Sequence, residues 1–246
     1  MKKKTRIAQI TDLHISPDNN PRFGVNTRNS FESVLNTIKS EKIDFLAITG
    51  DLAWMRGEKK AYLWLKELLE EVSIPYRITS GNHDKSMKMA KILHHEHYIN
   101  NGNLDYILTM NGQRFIFLDC GNGKLKKKQL QWLRETADYL TNDTLLFMHY
   151  PPAPGGSVYM DKNYPLKNSD EFKETIKELK SIKYIFCGHY HFENVYTMGD
   201  KKVYVTPSTC IQIDCNNEKL VFTKEKPAYR LIDWDGKVLN TSVKYV

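Results

Sequence analysis

No apolar run in these 246 residues approaches the roughly 20 that a membrane-spanning helix needs. The basic start, Met1-Lys2-Lys3-Lys4, is followed only by the short segment Ile7-Ala8-Gln9-Ile10, too little for the apolar region of a secretory signal. Cysteine is scarce: there are four, and Cys210 and Cys215 lack the Cys-x-x-Cys spacing of a zinc or redox site. Cys120, Cys187 and Cys210 end or interrupt apolar runs, where a thiol acts as a small buried hydrophobe. These absences point to a cytoplasmic chain. Repeats, low-complexity segments and linkers are also missing, so one domain over residues 1–246 is expected.

What is present is the composition of an ordinary globular chain, 41% hydrophobic and 26% charged. The net charge of +7 suggests an anionic ligand, since charge speaks to partners and not to fold. Lys124 to Lys128 opens an amphipathic helix, and such a run is ordinarily a solvated face.

The first third alternates strand-like and helix-like segments. Arg6–Thr11, Ile43–Thr49 and Tyr76–Thr79 are buried-strand candidates, separated by helical patterns over 27–40 and 58–72, the second with Ala61, Leu65, Leu68 and Val72 as its stripe. That order predicts a parallel sheet with right-handed crossovers. Leu104–Met110 and Gln113–Asp119 flank Asn111-Gly112, a hairpin signal. A helix is expected over 125–140, and buried runs at Thr144–Met148 and Lys183–Cys187. Between those runs the spacing predicts a long loop, Pro151–Asn168, then a helix capped by Ser169 with Asp170 and Glu171 in its first turn. The tail reads as antiparallel strands with turns at Gly199-Asp200 and Asp235-Gly236.

Motifs rich in Asp, His and Asn follow these apolar runs: Asp12-x-His14, Gly50-Asp51, Gly81-Asn82-His83-Asp84, His149 before Pro151-Pro152, and Gly188-His189-x-His191. Ligands of parallel sheets gather at the carboxyl ends of strands, so loops far apart in sequence can meet in one crevice. The donors are oxygen and nitrogen with no thiolate, which suits Mn²⁺, Fe or Zn²⁺. Seven residues are candidate ligands for two divalent cations, with one imidazole to spare. Asp51 is the candidate bridging carboxylate. Glycine before Asp51, Asn82 and His189 lets a strand turn sharply and lets backbone approach a metal. Asp12 and His14 would share a side if strand geometry persisted, as would His189 and His191. His94, His95 and His97 lack two imidazoles four apart on one helical face, so surface or packing roles are expected. Asp84 is expected to orient His83 or to stabilise its turn.

With these motifs the chain resembles the calcineurin-like metallophosphoesterases from Ile7 to about Arg230, and among them the bacterial class III cyclic nucleotide phosphodiesterases. The residues that carry the narrower resemblance are Thr11-Asp12-Leu13-His14, His149-Tyr150-Pro151-Pro152, Met160-Asp161 with Leu166-Lys167-Asn168, and Thr206-Pro207-Ser208-Thr209-Cys210. The resemblance implies an α/β fold, a four-layer α/β/β/α sandwich of two mixed β-sheets flanked by helices. It implies that Asp12, His14 and His191 hold one metal, that Asn82, His149 and His189 hold the other, and that Asp51 bridges them. His83 would stand outside the coordination sphere, contact the phosphate and protonate the leaving oxygen. Two such cations share and activate a water and offset charge on a phosphodiester.

Several substrates fit that chemistry. A small organic phosphodiester is the leading expectation, with 3′,5′-cyclic nucleotides first; a glycerophosphodiesterase or a broad phosphoesterase would use the same ligands. A nuclease has support from charge but no capping or coiled-coil region, and a scaffold that lost catalysis would show a damaged ligand set. Trp54 replaces the metal-binding Tyr of purple acid phosphatases, and Leu-Ala-Trp-Met-Arg-Gly after Asp51 departs from the Ser/Thr protein phosphatases. His83 stands where lipid A pathway hydrolases carry Arg. Asn19 to Arg22 and the 151–167 loop are expected to rim the pocket. Whether the chain forms a homodimer is left open.

Overall fold

The computed structural model describes residues 3–140 and 143–246, so Met1 and Lys2 of the basic start lie outside it. Strands β1 (Thr5–Ile10), β2 (Phe45–Thr49) and β3 (Tyr76–Thr79) pair in parallel, connected through helices α1 (Thr27–Ile38) and α2 (Lys59–Val72). β2 lies between β1 and β3, which is why all five of its residues are buried and apolar alternation is missing from its sequence. α3 (Ser86–Ile92) follows β3.

The next strands build a second sheet. β4 (Tyr106–Met110) and β5 (Gln113–Leu118) form the expected hairpin, and α4 (Lys127–Asp138) leads to β6 (Thr144–Met148). After α5 (Val158–Asn163) and α6 (Ser169–Glu178) come β7 (Ile182–Cys187), β8 (Asn194–Met198) and β9 (Lys201–Val205). The order in space is β4-β5-β6-β7-β9-β8, with β5, β6, β7 and β9 parallel and an antiparallel strand at each edge. β10 (Ala228–Trp234) and β11 (Leu239–Tyr245) return to the first sheet beside β1, giving β11-β10-β1-β2-β3. Both sheets are mixed and helices flank them, as the resemblance implied.

Period-2 alternation in the second sheet separates two apolar layers. Phe115, Phe117, Leu145 and Phe147 face the first sheet, whereas Ile116, Leu118, Leu146 and Met148 pack with Leu130, Leu133, Phe172 and Ile176 of α4 and α6. On the inner face the rings of Tyr106, Phe117, Phe147, Phe186 and Tyr204, one from each of five neighbouring strands, stack at 4.9–5.4 Å. Such cross-strand contacts fix register, and register decides where every strand ends.

Three local expectations are corrected. The 151–168 stretch contains α5, whose N-cap Ser157 accepts from the Met160 N–H. The cap position of α6 is Asn168 and not Ser169, and the Asn168 amide is committed to Leu125, its oxygen accepting from the Leu125 N–H at 3.0 Å. The buried side of α2 carries Ala61, Tyr62, Leu65 and Leu69, a stripe rotated from the expected Leu68 and Val72.

Candidate metal centre

The motifs meet where parallel strands end: Asp12 and His14 beyond β1, Asp51 beyond β2, Asn82 and His83 beyond β3, His149 beyond β6, His189 and His191 beyond β7. Strand alternation does not bring Asp12 and His14 together, because β1 has already ended at Ile10. Both adopt left-handed backbone, at φ 53° and 46°, as do Asp51, His189 and His191. Left-handed non-glycine residues are uncommon, although Asp and His are enriched among them, and here the conformation aims consecutive motifs inward. Only Gly50, at φ 100°, needs glycine for its turn. At Gly81 and Gly188 the need is space: a Cβ would lie 2.2 Å from Asp51 Oδ1 in one case and 2.0 Å from Thr11 Oγ1 in the other.

Three groups of donor atoms, each within 4.8 Å of one another, occupy the crevice: Asp12, His14 and His191; His14, Asp51 and His83; Asp51, His149 and His189. Asp51 belongs to two of them. Its Oδ2 lies 3.3 Å from His149 Nε2, 3.8 Å from His14 Nε2 and 4.0 Å from His83 Nε2. Asp12 Oδ1 lies 3.2 Å from His191 Nε2 and 3.9 Å from His149 Nε2. The outer oxygens are already used: Asp51 Oδ1 accepts the His83 N–H at 2.8 Å, and Asp12 Oδ2 accepts the His189 N–H at 2.9 Å. Asn82 is exposed and lines the same cavity.

Backbone carbonyls orient the imidazoles. Nδ1 of His149 faces the Thr49 carbonyl at 2.8 Å, Nδ1 of His191 that of Ile211 at 2.8 Å, and Nδ1 of His83 that of Trp54 at 2.6 Å. His189 is reversed, its Nε2 on the Tyr164 carbonyl at 3.0 Å, which leaves Nδ1 for the crevice. A ring nitrogen facing a carbonyl must carry the proton, so the inward nitrogens of neutral rings present lone pairs.

That arrangement fits a bound cation. His14 Nε2 and His191 Nε2 stand 3.1 Å apart, close enough for two lone pairs to oppose each other unless positive charge lies between them. Asp12 Oδ1 and His149 Nε2 are fully buried and find no hydrogen-bond partner among the described residues, although opposite charges lie within 3.3 Å. Buried polar atoms are rarely left in that state without a ligand. The oxygen–nitrogen donor set suits hard or borderline divalent ions.

Without a cation, the site's charges lean on one another. Burial opposes ionisation of Asp12, but His191 and His149 outweigh it and hold the carboxyl well below the usual carboxylate range. Asp51 is lowered in the same way against its burial, by His149, His83 and His14. Burial opposes charge on His149 as well, yet Asp51 and Asp12 raise it to about 9. Burial takes His14 and His189 down to about 3, keeping both neutral. The His149 imidazolium therefore contributes stability to the metal-free chain that is complete below pH 6.5 and is lost as pH rises through about 9. A ligand must be neutral, so metal uptake by chelator-treated protein is expected to strengthen from pH 6.5 to 9 and to release protons. Calorimetry in buffers of different ionisation enthalpy measures that release; pH-independent affinity over this window would contradict it.

Asp84 sits behind the crevice. Its carboxylate accepts from the N–H groups of Leu52, Ala53 and Gly81 at 3.0–3.1 Å and from the Tyr62 hydroxyl at 2.9 Å, and none of these partners is the His83 ring. Burial, with Asp51 adding, raises it to about 6. His95 is buried against Tyr76, ring centroids 5.0 Å apart, while His94 and His97 are exposed.

The cavity over the cluster measures about 380 Å³. Besides the expected 151–167 loop, which supplies Met160 and Tyr164, its wall includes Phe23, Trp54, Leu220 and Phe222. Those four went unread in the sequence as pocket residues, because rings and a leucine on irregular segments carry no periodic or motif signal.

Fold and cluster together define a metal-binding α/β sandwich with its donors at strand ends. The chain belongs to the calcineurin-like phosphoesterase family, which matches residues 5–193. It is 34% identical over 244 residues, 99% of this chain and 95% of the relative, to a probable cyclic nucleotide phosphodiesterase of Fibrobacter succinogenes. It is 30% identical to the 3′,5′-cyclic adenosine monophosphate phosphodiesterase of Escherichia coli K12, covering 94% of this chain and 85% of that one. A dimetal phosphatase from Danio rerio shares the fold with TM-score 0.70 at 13% identity, over 96% of this chain and 98% of that one. A purple acid phosphatase from yellow lupin does so with TM-score 0.68 at 13% identity, over 100% of this chain and 54% of that one. No helix among the described residues is long and apolar enough to cross a membrane.

Proposed function

We propose that this metal-dependent phosphodiester hydrolase cleaves 3′,5′-cyclic nucleotides, with His83 protonating the leaving oxygen. The observation that carries the reading is the central Asp51 oxygen, within 4.0 Å of the Nε2 atoms of His149, His14 and His83. Asp12, His14 and His191 would hold one divalent ion and Asn82, His149 and His189 the other, with Asp51 shared. When bound, two such ions supply an activated water and neutralise phosphate charge. His83 holds Nδ1 on the Trp54 carbonyl, which leaves Nε2, 4.0 Å from the Asp51 oxygen, as the nitrogen that would carry the proton to be donated. Mn²⁺, Fe and Zn²⁺ all suit these donors. The relatives named for cyclic nucleotides favour that substrate over a glycerophosphodiester. We place the chain in the cytoplasm, where its free cysteines would stay reduced.

The kinetic test is a comparison of cyclic AMP, a glycerophosphodiester and a phosphomonoester after loading with Mn²⁺. Cyclic AMP should give the highest kcat/KM, and no turnover of any diester would sink the proposal.

Asp84 acts in this scheme as a positioning residue. It fixes Leu52 and Ala53, which lead to Trp54, whose carbonyl orients His83. Asp84→Asn replaces one acceptor oxygen by a donor facing N–H or O–H groups. Hydrogen bonds to a buried charge are worth about 1.5–3 kcal/mol each, so a loss of that size is expected in a denaturant titration. Because the Trp54 carbonyl would shift, the alkaline limb of the kcat–pH profile, where a proton donor is lost, should move as well. A variant destabilised with an unchanged profile would leave Asp84 with a purely structural role.

A further inference from the structure

The outer wall of the cavity is made of rings drawn from three distant segments. Phe23, on the loop after β1, has left-handed backbone at φ 48° and a side chain left 67% exposed. Its ring centroid lies 5.6 Å from Trp54, on the loop after β2, and 4.9 Å from Phe222, between β9 and β10. The interplanar angles are 48° and 42°, so the rings flare apart and do not stack closed. Phe222 is held in place by its own segment: Ile213 and Phe222 form an antiparallel bridge, and the Asp214 and Thr223 N–H groups donate to Val221 and Gln212 carbonyls at 2.9 and 3.0 Å. The Cys215 carbonyl accepts from Val158 N–H at 2.9 Å, which ties this flap to α5. Leu220, 44% exposed, also lines the cavity.

A cluster of this kind, with Phe23 and Leu220 exposed and Trp54 and Phe222 half-buried, is informative where a lone exposed apolar residue is not. It is continuous with the donor cluster, since the Trp54 and His14 ring centroids are 5.9 Å apart. We infer that Phe23, Trp54 and Phe222 form a clamp for the planar base of the nucleotide, and so determine which phosphodiester this chain selects. The inference rests on the phosphodiesterase reading and names the part of the substrate those rings take. A π-face of any base stacks on such rings with little dependence on its hydrogen-bonding edge. The occupant other than a base that rings of this kind could take is a quaternary ammonium, as in a choline ester. The Arg22 guanidinium already lies 5.9 Å from the Trp54 ring centroid and Asp51 is the only carboxylate among the described lining residues. Arg22 is itself paired with Asp18 at 2.8 Å, so a second cation would find a face of Trp54 already taken and no further carboxylate among those lining residues, whereas a neutral base needs neither.

The test uses the Mn²⁺-loaded protein, with Phe222→Ala, Phe23→Ala and Phe222→Trp as variants. Losing a stacking partner costs about tenfold, so either alanine variant should lower the ratio of kcat/KM for cyclic AMP to that for glycerophosphoglycerol by about that factor, mainly through KM. Phe222→Trp should restore the ratio. Adenosine, which carries no phosphate, should bind the wild type with quenching of tryptophan fluorescence and bind both alanine variants about tenfold more weakly. That second readout stands even if no diester is turned over, an outcome that would remove the phosphodiesterase reading and leave the clamp. Absence of adenosine binding to the wild type, an unchanged selectivity ratio in both alanine variants, or a loss confined to glycerophosphocholine would each overturn the clamp.

Discussion

Asp51→Ala is expected to leave the chain unable to hold two metal ions at once. The reason is position: its Oδ2 stands between His149 and His14, members of different donor groups, at 3.3 and 3.8 Å. A pair of cations in one crevice repel each other, and a shared anionic oxygen offsets that repulsion. Removing even an outer-shell partner costs about 10–100-fold in affinity or activity, so removal of the shared ligand should exceed that range. The local structure should suffer as well, since Asp51 Oδ1 also accepts the His83 N–H at 2.8 Å. Elemental analysis after gel filtration should find no more than one ion per chain, and turnover of cyclic AMP should fall by more than about 100-fold. A variant retaining two ions would show that another group bridges. Asp12, whose Oδ1 reaches both His191 and His149 at 3.2 and 3.9 Å, is the residue to test next.

How the site could be read from sequence, and where reading stopped, follows from which forces are local. Buried parallel strands are apolar throughout, so Phe45–Thr49 and Thr144–Met148 stood out, and the polar residues after them had to lie at strand ends. The candidate ligands were legible for that reason. Their aim was not. Asp12-x-His14 suggested strand alternation, yet β1 ends at Ile10 and both residues turn inward through left-handed backbone, which only their neighbours in three dimensions can enforce. The partners of the imidazoles were equally hidden, because the acceptors on Thr49, Trp54, Tyr164 and Ile211 are main-chain carbonyls that any residue possesses.

The second sheet shows the same limit at larger scale. Gly199-Asp200 announced the β8–β9 hairpin, but β9 also pairs in parallel with β7, a contact without local sequence signal. The 151–168 segment looked like a loop because Pro and Gly surround it. Its order comes from Asp161, whose carboxylate accepts the N–H groups of Gly155, Gly156 and Ser157 at 2.7–3.0 Å. Through Tyr164 that segment orients His189, so it supports the metal donors as well as covering them.

His83→Ala should lose most turnover while the two ions stay bound, and the contrast with Asp51→Ala is what assigns its role. His83 Nε2 is 4.0 Å from the Asp51 oxygen and lies with His14 and Asp51 in one of the donor groups. Its ring is also on the cavity wall, with its side chain 26% exposed against 2% for that of Asp51. A ligand so placed would lower metal content when removed; a proton donor would not. General acid catalysis contributes about 10²–10⁴-fold, and kcat for cyclic AMP should fall within that range. The size of the loss must also depend on the leaving group, because a sugar alkoxide needs a proton whereas p-nitrophenolate departs without one. Bis(p-nitrophenyl) phosphate should therefore suffer much less from the substitution than cyclic AMP does. Equal losses on both substrates, or a variant with fewer than two ions, would return His83 to the coordination sphere or to a role in binding phosphate alone.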